Sequence, residues 1–305
     1  MKLKTFAPFT WGVLGWNLIV ILWGAYVRAS GSGAGCGQHW PLCNGEIVPQ
    51  APDVKMVIEF THRLLSGGAL LLILVMVIWG FRITTKDHPV RKSLIAAGIL
   101  IVTEALLGAG LVLFELVEEN SSLLRAFAVG LHLANTFLLV ASLALTAYWA
   151  SGGSPIRLKG QGLKAWLLGI GLLGMLIIGM SGAVTALGDT LFPVSSLTQG
   201  FVADLDPNAN FLIRLRVYHP VIAVTMAVYS LYLVRMLLNH HNGVARKFLV
   251  ALVIVGSLQL AVGLTNLLLL VPIPTQILHL LTADLVWITY VLTTAAILAK
   301  TQPAI

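Results

Sequence analysis

Four histidines stand in apolar surroundings at matching places along the 305-residue chain: His62 in EFTHRLLSG, His132 in GLHLANTFLLVASL, His219 in RVYHPVIAV and His279 in ILHLLTADLVWITY. An ionisable side chain inside a bilayer is costly and marks a functional site by default. Neutral imidazole is also a common axial ligand of porphyrin iron, donating along the normal to the ring. Two histidines from neighbouring helices of a four-helix bundle can clamp such a ring between them, so four of them predict two haems. Zinc fits less well, because two histidines per site leave it short of ligands and no cysteine lies in an apolar run. A lone buried histidine is more often a hydrogen-bonded core residue than a ligand, but four at equivalent places reverse that balance. His88, His240 and His241 fall in loops, and His39 lies between the two cysteines.

The neighbours of the histidines differ in one informative way. Superposing His62 on His219 places Glu59 opposite Arg216, each three residues earlier and so on its histidine's face of a helix. Arginine suits a haem propionate through a charge-assisted pair. A glutamate at a porphyrin edge can instead accept a proton or stabilise developing positive charge; its plainer reading is a partner for Arg63. This asymmetry predicts a reacting N-terminal site and a C-terminal site that holds a permanent cofactor. Arg63, Arg125, Arg214 and Arg216 gather on the side where basic residues are otherwise scarce, as propionate partners would. The only cysteines, Cys36 and Cys43, lie in the glycine-rich loop GSGAGCGQHWPLCNG, where a structural disulfide and a redox-active dithiol are both open readings.

The elements that must position these residues are membrane spans. The chain is 58% hydrophobic and 10% charged, against about 25% charged residues in soluble proteins. Its net charge of +7 is therefore read as topology, not as a sign of nucleic-acid binding. Eight apolar runs, near 9–29, 57–81, 93–114, 124–149, 164–187, 212–237, 247–271 and 276–299, are each long enough to cross a bilayer as a helix. The first is followed by seven more and lacks a small-residue cleavage site, so it reads as a span and not as a cleaved signal.

Thirteen of the 19 basic residues, from Lys2 and Lys4 to Lys300, flank one set of loops, which predicts a plasma-membrane protein with both termini cytoplasmic. The long loops 30–56 and 188–211, and the histidine end of every even-numbered span, then face outward. Spans one to four repeat as five to eight: besides the histidines, Glu104 and Gly108 of the third span match Gln259 and Gly263 of the seventh, and WGAYVRASGSG is echoed in SGAVTALGD. The expected fold is an all-α integral membrane protein of two pseudo-two-fold-related four-helix bundles, residues 1–150 and 151–305.

With EFTHR, HLANT, RVYHP and LHLLTAD, the chain resembles the haem A synthases of bacteria and mitochondria over essentially its whole length. The Cys36 to Cys43 loop is similar to that of the Gram-positive type. The resemblance implies that haem O is the substrate and haem A the product, the C8 methyl becoming a formyl group through two hydroxylations. It implies that His62 and His132 hold the substrate haem, that Glu59 assists its oxidation, and that His219 and His279 hold haem b, which passes electrons. It also implies electron relay or haem delivery by the cysteines, a haem O synthase (a prenyltransferase) as partner, and an external thiol or electron-transfer partner. The loop 188–211 lacks the second cysteine pair of some relatives, which counts against a four-cysteine relay. A homo-oligomer is compatible with the reading. The competing classes are a di-haem b electron carrier and a haem transporter without chemistry; a transporter calls for broken helices near mid-membrane, and proline is nearly absent from span centres.

Overall fold

A computed structural model describes residues 2–299 of the chain, so Lys300 of the charge count lies outside the described residues. Among these it is all-helical: α1 (Lys2–Ala29), α2 (Val54–Ile83), α3 (Pro89–Leu113), α4 (Leu123–Ala150), α5 (Leu163–Leu191), α6 (Leu197–Leu205), α7 (Phe211–Leu215), α8 (Tyr218–Leu238), α9 (Gly243–Leu268) and α10 (Ile273–Ile297). Eight spans are long and apolar enough to cross a membrane, with α7 and α8 together making the sixth, and the chain is a multi-pass membrane protein. Most predicted boundaries fall within a few residues of these. The exception is α1, which begins at Lys2 and not at residue 9 because it accommodates Pro8 inside the helix.

The second long connection and the span after it each carry a feature that span-finding does not predict. Loop 192–210 contains the short helix α6, capped by Ser196 accepting from Gln199 N–H. The sixth span is broken at Arg216–Val217. Pro220 supplies the cause: its ring clashes with the carbonyl four residues back, at Arg216, while Pro itself is tolerated in the first turn of the new helix.

Short polar caps fix where the histidine-bearing helices start. Asp53 accepts from Met56 N–H at 2.8 Å, Ser122 from Arg125 N–H at 3.2 Å and Asn210 from Leu212 N–H at 2.9 Å, each satisfying a donor that the first helical turn leaves orphaned. Helix α10 starts after Pro272. All four helices start at the end of the bundle that carries the loops 30–53 and 192–210.

Helices α1 to α4 close a ring, each packed on the next and α4 back on α1; α5, α8, α9 and α10 close another. The rings meet where α4 lies against α5 and α10, and α1 against α10. Burial follows from this: 50% of the α4 span and 67% of the α10 span are buried, against 11–28% for the others. Their contact is tight and polar. The Trp287 indole donates to Phe137 O at 2.6 Å and stacks on the Phe137 ring at 5.3 Å. Small residues let backbones approach within a bilayer: Gly179 of α5 faces Phe137 so closely that a Cβ there would lie 2.7 Å from the ring.

Candidate functional site

All four histidines lie about two turns into their spans, counted from the same end of the bundle. Each packs the Cε1 edge of its ring against a glycine on the preceding span. A Cβ built on Gly24 of α1 would be 2.9 Å from His62, on Gly182 of α5 3.0 Å from His219, and on Gly263 of α9 2.7 Å from His279. Gly108 of α3 faces His132 more loosely, at 3.9 Å. The absent side chains make room for imidazole rings, one in each pair of antiparallel helices. Matched glycines 108 and 263 were visible in the sequence; their role as seats was not.

The ring nitrogens suit ligation. His62 Nδ1 and His279 Nδ1 are buried without a hydrogen-bond partner, a condition that costs about 1–3 kcal/mol per group unless something binds there. His132 Nδ1 also makes no hydrogen bond, but it lies 3.5 Å from Glu104 Oε1. His219 Nδ1 lies 3.0 Å from Ser181 Oγ. Because that hydroxyl donates to Ile178 O, it accepts from Nδ1–H and leaves the Nε2 lone pair free, the outer contact that fixes a ligand's tautomer. Ser181 was missed in the sequence, although it directly precedes Gly182. The His219 and His279 centroids are 6.4 Å apart with perpendicular rings. His62 and His132 are likewise electrostatic neighbours. Among the described residues no three His, Cys, Asp or Glu side chains converge as a metal cluster, so the donor set offers two imidazoles per site, which fits a porphyrin iron that brings its own four equatorial nitrogens.

Cys36 and Cys43 form a disulfide, both residues at most 1% exposed. Its loop is fastened to α2 by the residues the sequence singled out. Glu59, 3% exposed, accepts from Cys36 N–H at 2.9 Å through Oε2 and from Arg63 Nη2 at 2.5 Å through Oε1. Arg63 Nη1 donates to His39 O and Leu42 O, each at 2.6 Å. Arg216 does the corresponding work in the other half. It donates to Asp204 at 3.0 Å, to Asp189 at 3.1 Å and to Phe192 O at 3.2 Å. Glu59 and Arg216, opposite in charge, each tie down the long loop of their own half. Arg216 and Val217 keep right-handed helical dihedrals across the break before α8.

Arg125 donates to Glu118 O and Asn120 O at 2.5 and 2.7 Å, holding the α3–α4 loop. Arg63, Arg125 and Arg216 are thus engaged by loops, while Arg214 is exposed and enters none of these contacts. Arg28 was passed over in the sequence because nothing near it signals a partner. From the end of α1 it donates to Ala186 O and Thr190 Oγ1 of α5, both at 2.6 Å, and to Gln276 Oε1 of α10 at 3.0 Å.

Comparison with known proteins adds a family. The profile of the cytochrome oxidase assembly proteins (COX15-CtaA) matches residues 7–291. A Thermus thermophilus protein named protoheme IX farnesyltransferase is 51% identical over 288 residues, which are 93% of this chain and 47% of that one. A heme A synthase of an Exiguobacterium species is 28% identical over 262 residues, 86% of this chain and 82% of that protein. Another, of Alkalihalophilus pseudofirmus, is 43% identical over 97 residues, 32% of this chain and 33% of that protein. The chain spans about half the length of the Thermus relatives it matches.

Proposed function

The chain belongs to the family of cytochrome oxidase assembly proteins, and from that premise we propose that it is a haem A synthase, an oxidoreductase that converts the C8 methyl of haem O to the formyl group of haem A. Two successive hydroxylations, the first giving a hydroxymethyl group and the second a hydrate that loses water to the aldehyde, remove four electrons and four protons in all, and these must pass to an external electron acceptor. The observation that carries the reading is the set of four histidines, three with a buried ring nitrogen that makes no hydrogen bond, each seated on a glycine. The relatives named heme A synthase support the substrate and product.

The halves then divide the work. Residues 1–150 hold haem O between His62 and His132, and residues 151–305 hold haem b between His219 and His279. A haem b at the second site supplies one-electron transfer. His219 is kept in the tautomer that offers Nε2 by its contact to Ser181. Glu59 is the catalytic carboxylate: Arg63 and the Cys36 amide fix its two oxygens in place, so that it can stabilise positive charge or take up a proton beside the substrate ring. Arg214, uncommitted, is the readiest propionate partner, and Arg63, Arg125 and Arg216 border the sites while holding the loops that cover them. The histidine end faces outward from the plasma membrane, with both termini cytoplasmic. The buried Cys36–Cys43 pair becomes available to an external thiol or electron-transfer partner only when its loop lifts. A haem O synthase is the supplying partner; its support is that Thermus chains named for farnesyl transfer to protoheme match this sequence over less than half their length.

One observation favours a second reading, a di-haem b electron carrier: both Glu59 oxygens are already occupied by the loop anchor. Co-expression with a haem O source followed by pigment extraction separates the two. Formyl haem is expected with the unaltered chain and not with Glu59→Ala, which should retain its haem b spectrum. Extraction of haem b alone from the unaltered chain, with quinone-analogue reduction retained, would establish the carrier instead.

A further inference from the structure

Behind the two histidines of the central helices lie unlike residues at like places. Glu104 and Gln259 each stand one helical turn before the glycine that seats the neighbouring histidine, Gly108 and Gly263. Glu104 Oε1 is 3.5 Å from His132 Nδ1. Its carboxylate is pinned: Asn135 Nδ2 donates to Oε2 at 2.5 Å and Thr136 Oγ1 donates to Oε1. Asn135 is held in turn by Leu100 O at 2.9 Å and by the Thr103 hydroxyl at 2.7 Å. Gln259 Nε2 is 3.5 Å from His279 Nε2, the opposite ring nitrogen to the one Glu104 faces on His132, and Thr282 Oγ1 donates to its Oε1. The His132 ring therefore faces a fixed carboxylate through Nδ1, and the His279 ring faces, through Nε2, an amide whose oxygen is taken.

A histidine bound to a metal through one nitrogen carries its proton on the other. A carboxylate that accepts from that proton draws it away from the ring and makes the imidazole a stronger donor, and its charge favours the more positive state of the metal. A neutral amide presenting N–H does neither. Within a bilayer, where the effective dielectric is low, a full charge at this distance outweighs the difference between two neutral dipoles.

Resting on the two-haem reading above, we infer that Glu104 is a positioning residue that makes His132 the strongest donor of the four histidines and holds the N-terminal haem iron at a lower reduction potential than the C-terminal one. The Glu104 and Gln259 difference thereby sets the direction in which an electron passes between two otherwise similar sites.

The test is a spectroelectrochemical titration of the full chain reconstituted with iron protoporphyrin IX, the N-terminal haem being identified as the one lost in His132→Ala. Glu104→Gln keeps an acceptor for Thr136 but sets an amide N–H against Asn135 Nδ2, so its haem content is measured first and the midpoint is read from the bound haem. It is expected to raise the ferrous-to-ferric ratio of that haem about tenfold at the original midpoint, equivalent to ~59 mV for one electron. Glu104→Asp should restore most of the difference, and Gln259→Glu should lower the midpoint of the other haem. An unchanged N-terminal midpoint in Glu104→Gln, or equal shifts of both haems, would overturn the inference while leaving haem binding intact. If no haem signal depends on His62 and His132, the two-haem reading fails and the inference falls with it.

Discussion

At the scale of single residues, the clearances behind the histidines separate four positions that look alike in the sequence. A methyl group on Gly263 or Gly24 would sit 2.7 or 2.9 Å from an imidazole carbon, whereas on Gly108 it would reach only ordinary van der Waals contact at 3.9 Å. Overpacking of this kind costs about 1–3 kcal/mol and is relieved by moving the ring. Gly263→Ala and Gly24→Ala are therefore expected to lower haem content at least ~tenfold, read from the Soret absorbance per protein. Gly108→Ala should bind haem almost normally. Equal losses at all three positions would show that the seats do not act through ring clearance.

At the scale of elements, the disulfide loop is a unit closed by Cys36–Cys43 and bolted to α2 by Arg63 and Glu59. Both sulfurs are buried, and thiol–disulfide exchange needs access to a sulfur. Removing Arg63 leaves the carbonyls of His39 and Leu42 without that donor and loosens the lid. Arg63→Ala is expected to speed reduction of the disulfide by dithiothreitol about tenfold, a loss of some 1.4 kcal/mol of loop closure, followed by alkylation and mass measurement. A rate equal to that of the unaltered chain would mean that the loop is held by its own turn chemistry, with Gly37, Asn44 and Gly45 at positive φ.

At the scale of the whole molecule, the two rings of helices are joined by the packing of α4 on α5 and α10 and of α1 on α10, and by Arg28 near the histidine end. Hydrogen bonds from a charged donor contribute about 1.5–3 kcal/mol, and their loss strands buried acceptors. Arg28→Ala should lower the apparent melting temperature in detergent by several degrees (about 2–4 °C per kcal/mol for a chain of this size or a little smaller). Arg28→Lys, which keeps the charge but not the planar fork, should recover only part of it. A melting temperature untouched by Arg28→Ala would place the junction in the helix packing of α4 and α1 against α5 and α10 alone.

The eight spans were legible in the chain, because hydropathy over some twenty residues is a property of local sequence, as were the recurring histidine motifs. The break before α8 was also legible in principle, from Pro220, but was masked by the unbroken run of apolar residues around it. Only the folded chain decided which charges are engaged. Glu59 and Arg216 read as opposites bearing on two haems, yet each anchors a loop, and Arg63 and Arg125 do the same. Arg28 gains its meaning from partners 158 and 248 residues away. Hydrogen bonds of that kind depend on which helices the packing brings side by side, and no local pattern encodes that. The pairing of each histidine with a glycine on the preceding span, and of Glu104 and Gln259 with two of the histidines, is set in the same way, by the register between neighbouring helices.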